Sequence, residues 1–199
     1  MSRTPEHLYH YTIGAKLALI AQTGALVPKG FEAEPREKPV LWLSENPQWE
    51  PTANKVVSRD GGLTFERPTL LELQKMVGIF RFRLDTRQTA LLQEHGVRLV
   101  PWTRIGTVAH ISKRHMADMV KRGMAWGATP MHWWGCMDPL PLSLEDQGAL
   151  IIEAREPVQV GQQQTWQRVT MAQAIDSFLA RGIRVGMTTA TAMPAAHNV

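Results

Sequence analysis

The sequence predicts an α+β fold, and three observations carry that expectation. Short stretches with strand-like alternation recur along the whole chain. Amphipathic helical stretches lie between them. The two kinds do not follow the regular βαβα rhythm of a doubly wound sheet. The chain has 199 residues, 44% apolar and 20% charged, enough to bury one full core without disulfides or metals. We expect a single domain over residues 1–187. Residues 188–199 are small, polar and Ala-rich, and are expected to form a disordered tail.

Each element has a local reason. Residues 8–12, with Tyr9 and Tyr11, read as a strand. Leu17, Ile20 and Ala21 then recur at helical spacing, and Gly24 closes that segment as a C-terminal glycine does. Residues 40–44 form a second strand, with Leu41 and Leu43 on one face and Trp42 and Ser44 on the other. Asn46-Pro47 marks a turn, and residues 52–58 are expected to make one or two helical turns. Thr69, with Glu72 three positions on, caps a short helix carrying Leu70, Leu73 and Met76. Residues 78–84 alternate as a half-buried strand, Ile79, Arg81 and Arg83 against Phe80, Phe82 and Leu84. A helix over 86–94 ending at Gly96 and a strand over 97–102 follow. Ser112 caps a helix reaching about Trp126, whose Met116, Met119, Val120 and Met124 read as a core stripe. Residues 131–137 and 150–154 are strand candidates, 165–169 an edge strand, and Thr170 caps a last helix.

Composition bounds the function. One cysteine, Cys136, excludes an internal disulfide and fits a reducing compartment. The first residues lack the apolar run of a signal peptide, and no apolar run approaches ~18 residues. No membrane partner is expected, and a cytoplasmic location is the default. The net charge of +4 permits a nucleic-acid partner without demanding one. The densest basic stretch, residues 113–122, reads more readily as a solvated helix face than as a phosphate-binding one. Phosphate-loop, dinucleotide-fold, zinc-protease, Cys-x-x-Cys and Gly-x-Ser-x-Gly motifs are all absent.

Three segments remain as candidates. In Tyr9-His10-Tyr11-Thr12, His10 and Thr12 share one strand face, where an imidazole beside a hydroxyl can bond a ribose; a core histidine is the commoner reading. The strand through Trp42 ends at Ser44 and enters a polar turn with Trp49. The apolar strand 150–154 carries Glu153, which needs a partner if buried; an ion pair with an arginine is the plain alternative.

Together these segments resemble the ADP-ribosyltransferase-like proteins. The likeness runs through Tyr9-His10-Tyr11-Thr12, the helix with Leu17 and Ile20, and Gly24-Ala25-Leu26-Val27-Pro28. It continues through Val40-Leu41-Trp42-Leu43-Ser44 and from Trp133-Trp134 to Glu153. It is closest to small bacterial and phage members with a His-Tyr-Thr strand and a Trp-x-Ser strand. The resemblance implies a split, mainly antiparallel sheet with NAD as co-substrate in a cleft. It implies His10, supported by Thr12, on a ribose hydroxyl, and Ser44 beneath the nicotinamide ribose, fixing the acid. Tyr9, Tyr11 or Trp42 would line or stack on the dinucleotide, and Glu153 would serve as the catalytic acid. The acceptor would be a protein or a nucleic acid. Lys29, Arg36 or Arg81 would pair with the pyrophosphate. The chain departs from the family pattern in having no Arg-leading motif and no Glu-x-Glu doublet. Glu153 and Glu156 would face opposite sides of a strand, and Glu145, Asp146 and Glu156 stand as substitutes for the acid. Two other classes stay open: a nucleic-acid- or nucleotide-binding protein, and a non-catalytic, phage-type inhibitor of a host protein.

Overall fold

Strand β1 (His7–Ile13) runs directly into helix α1 (Gly14–Thr23), which Gly24 ends with φ 66°. A Cβ on Gly14 would lie 2.5 Å from the Val77 carbonyl oxygen, so this tight junction requires glycine. The computed structural model describes residues 4–29, 36–54, 57–58, 65–66, 68–155 and 165–181. The expected tail over 188–199 lies outside them. Next come β2 (Ala25–Leu26), β3 (Leu41–Ser44), β4 (Val57–Ser58) and β5 (Phe65–Glu66). Helix α2 (Leu70–Val77) starts at the expected capping box. The Thr69 hydroxyl accepts from the Glu72 N–H (3.3 Å), and the Glu72 carboxylate accepts from the Thr69 N–H (2.8 Å). The chain continues through β6 (Ile79–Asp85), α3 (Thr89–Glu94), β7 (Leu99–Pro101), α4 (Trp102–Val108) and α5 (Lys113–Ala125). It ends with β8 (Trp133–Cys136), β9 (Leu140–Pro141), β10 (Leu150–Arg155), β11 (Trp166–Arg168) and α6 (Met171–Leu179), the last capped by Thr170 as expected.

Four expectations need correction. Residues 52–58 hold only a 3₁₀ turn, Pro51–Ala53, before β4; the Glu50 side chain caps it by accepting from the Thr52 N–H. The helix expected from residue 86 begins at Thr89, because the Asp85 carboxylate takes the Arg87 N–H (3.0 Å) and holds a turn. The strand expected to reach 102 stops at Pro101, and Trp102 opens α4 instead, its indole buried against Trp133. The methionine stripe of α5 is only partly internal: Met116, Met119 and Val120 pack inward, while Met124 is 64% exposed.

Seven strands form one antiparallel sheet in the order β11-β10-β6-β1-β3-β8-β7. One face is largely apolar. It carries Leu8, Leu41, Leu43, Phe80, Phe82, Leu84, Trp134, Leu150 and Ile152, and α1 covers it with Leu17. The other face is divided. Trp102 and Ile105 of α4 cover the β3–β8 end with Val40 and Trp133. Helices α2 and α6 cover Ile13 and Ile79 with Leu73, Val77 and Phe178. The middle of this face is polar.

Candidate functional site

Antiparallel register decides which side chains share the polar middle, because directly paired residues point to the same face. Tyr9 pairs with Ser44 on one side and Arg83 on the other; Tyr11 pairs with Arg81, and Arg81 with Glu153. Ser44, Tyr9, Tyr11, Arg81, Arg83 and Glu153 therefore occupy one surface. Ser44, Tyr9, Tyr11, Arg81 and Glu153 are buried. A sheet interior rarely holds this much polarity, and each group here has to be bonded to remain.

The turn after β3 supplies many of the partners. Asn46 organises it: its Oδ1 accepts from the Gln48 N–H (3.0 Å) and its Nδ2 donates to the Trp49 carbonyl (2.6 Å). The folded turn presents backbone carbonyls to the sheet. Tyr11 donates to the Asn46 carbonyl and Arg81 to that of Pro47. It also delivers Glu50, which sequence reasoning did not single out. Glu50 is 7% exposed. Its Oε2 accepts from the Ser44 hydroxyl (2.8 Å) and its Oε1 from the Thr52 hydroxyl (2.9 Å) and N–H (3.3 Å). Among the described residues these partners are all neutral. Among the described residues Glu50 forms no ion pair. The available signal was Trp49-Glu50-Pro51-Thr52, an acid two residues before a hydroxyl and placed to cap a turn.

Glu153 is placed differently. Its Oε2 accepts from Arg81 Nε (2.5 Å), and Arg83 stands 3.7 Å from its Oε1. The Arg81 guanidinium is sandwiched between the rings of Tyr9 (4.6 Å) and Trp166 (4.2 Å). Strand β6 separates Glu153 from β1, so it lies about 10 Å from the His10 strand, and on the face away from His10.

His10 pairs with Phe82 and so faces the apolar side, as does Thr12, which pairs with Phe80. The ladder between β1 and β3, however, consists of the single pair Tyr9↔Ser44, whereas β1 and β6 pair over the whole of His7 to Ile13. Beyond that point the two strands part. The Trp42 carbonyl, which a continuing ladder would engage, is met instead by His10 Nδ1 at 2.9 Å. A carbonyl only accepts, so in this contact Nδ1 carries the proton. His10 thus stands in the parting and Ser44 at its closed end. Toward the open end, Lys29 pairs with Val40, next to β3. Lys16, in the first turn of α1, has its pKa lowered by burial first and then by the nearby Lys29 charge.

Of the residues expected to line a ligand site, His10, Trp42 and Ser44 border the parting, His10 from the apolar face and Trp42 and Ser44 from the polar one. Thr12 is buried behind His10 on the apolar side. Tyr9 and Tyr11 lie on the polar face, where burial raises both phenol pKa values above normal. The Tyr11 ring packs edge-on to Trp49 at 5.0 Å. Trp42 is half-buried beside Trp102. Glu145 and Asp146 follow the 3₁₀ turn Leu142–Leu144, and Glu156 lies outside the described residues. Arg36 is exposed on the loop before β3. Among the described residues no helix is long and apolar enough to cross a membrane, and no cluster of metal-donor side chains occurs. No protein-family model matches the chain, and no curated protein or solved structure matches it.

Proposed function

We propose that the protein cleaves the nicotinamide glycosidic bond of NAD and transfers ADP-ribose to a macromolecular acceptor, like the ADP-ribosyltransferases its motif order resembles. The observation that supports this reading is Glu50: a buried carboxylate at the closed end of the β1–β3 parting, held only by neutral donors among the described residues. As the bond from C1′ of the ribose to the nicotinamide nitrogen breaks, its electron pair leaves with nicotinamide, and positive charge develops on the sugar. A fixed anion opposes that charge without reorganising, which is the main source of acceleration in such sites. Glu153 is a weaker candidate for this task, because Arg81 and Arg83 already offset its charge. In this reading His10, its Nδ1 fixed by the Trp42 carbonyl, lies against the ribose. Lys16 and Lys29 meet the pyrophosphate near the mouth of the parting. An acceptor nucleophile then attacks C1′ and releases its proton, or water does so and NAD is hydrolysed.

The experiment is nicotinamide release from NAD by purified protein, with and without cell extract, alongside Tm measured with and without NAD. The wild type is expected to release nicotinamide, and Glu50→Gln to lose at least roughly a hundredfold in rate, the scale of losing one preorganised electrostatic contact, while remaining folded. Absence of both release and an NAD-dependent Tm shift in the wild type sinks the reading. Full activity of Glu50→Gln removes Glu50 from it.

A further inference from the structure

Among the described residues the polar face holds more cations than Glu153 can balance. Arg83 pairs with Ile151 and Arg81 with Glu153 across β6 and β10, and Arg155 lies two residues beyond Glu153 on the same face. Three guanidinium groups thus occupy successive rungs, about 7 Å apart along the strands. Glu153 is their ion-pair partner among the described residues, through Arg81 and Arg83. Arg155 has none there. Its Nε and Nη1 are shielded from solvent without a hydrogen-bond acceptor, and so is Nε of Arg83. Such groups are costly to hold, and because both side chains are only partly buried an anionic ligand can offset their charge from the solvent side.

The geometry points to single-stranded nucleic acid as the ligand of this face, its phosphodiesters meeting Arg83 and Arg155 and a base stacking near Trp166. One phosphate engages one or two arginines, whereas these span three rungs, roughly 13 Å from first to last. Trp166 pairs directly with Arg155, and its partly buried indole lies 6.0 Å from that guanidinium. A row of cations beside an aromatic ring is the arrangement that binds a strand without reading its sequence. The net charge of +4 favours a polyanion further. As an assignment of the acceptor this rests on the NAD reading; as a binding site it stands without it.

The test is fluorescence anisotropy of labelled single-stranded DNA and RNA 12-mers against full-length protein over a salt series. The wild type is expected to bind at low salt and weaken as salt rises. Arg83→Gln and Arg155→Gln should each weaken binding about fivefold and lower the slope of log K against log salt by about 0.7. Arg83 is 31% exposed, so its variant carries the test if Arg155→Gln fails to fold. The inference is overturned by no binding at low salt, by unchanged binding in both folded variants, or by inorganic pyrophosphate displacing the oligonucleotide at equal phosphate concentration. Nicotinamide release measured in parallel separates the two proposals. Oligonucleotide binding without release removes the NAD reading alone, and release without binding removes this one alone.

Discussion

Glu153→Gln is expected to destabilise the protein by about 3 kcal/mol, the lower end of what removing one partner from a buried ion pair costs. The substitution keeps the side chain's shape and an acceptor oxygen and removes only its charge. Arg81 and Glu153 are each 7% exposed at the side chain and 2.5 Å apart, so water cannot replace what is lost. Arg81 cannot swing away, because the Pro47 carbonyl and the rings of Tyr9 and Trp166 hold it in place. Arg83 and Arg155 add like charge to the same surface. The assay is urea unfolding followed by tryptophan fluorescence and circular dichroism. With a slope of roughly 2 kcal/mol per molar urea, the midpoint should fall by about 1.5 M with the slope unchanged. Replacing both partners, Arg81→Met with Glu153→Leu, should cost less than the sum of the two single changes, since no unpaired charge is left behind. A midpoint for Glu153→Gln within about 0.3 M of wild type would refute the reasoning, because a charge removed from a water-accessible pair costs little.

Two further predictions are independent of function. Tyr9 and Tyr11 are the chain's only tyrosines, and burial raises both pKa values above the ordinary 10.0. The unfolded chain releases these protons first, so their contribution to stability is complete below about pH 10 and declines as pH rises toward the folded values; ultraviolet titration should show less than half of the tyrosine ionised at pH 10 until the fold opens, and half-ionisation in the native state there contradicts this. Gly14→Ala places a Cβ 2.5 Å from the Val77 carbonyl and 2.4 Å from the Phe178 ring. It should destabilise by roughly 2 kcal/mol by overpacking, measured as a lower urea midpoint, whereas a neutral result would mean that the β1–α1 junction yields.

Much of the fold was legible where the signal is local. The caps at Thr69 and Thr170 and the αL glycine after α1 appear where residue chemistry places them, while the strand expected to be half-buried over 78–84 lies between β10 and β1 and is buried on both faces. The misjudged segments are those in which a neighbour overrides the local pattern, such as Trp102, drawn into α4 by burial against Trp133. The site divides in the same way. The side-chain faces of Tyr9, His10, Tyr11 and Thr12 followed from strand period alone. That Glu50 bonds Ser44, and that Arg81 takes Glu153 across 72 positions of sequence, did not.

By itself the sequence determined the types of most elements, their caps and which residues share a strand face, because these follow from backbone geometry over a few residues. Only the tertiary structure decided that β1 lies between β3 and β6, that its ladder with β3 ends after one pair, and that β10 joins the sheet beyond β6. Strand order arises from contacts between residues far apart in the chain, and no periodicity records it. That order is what seats Glu153 between arginines and leaves Glu50 as the buried carboxylate beside the parting.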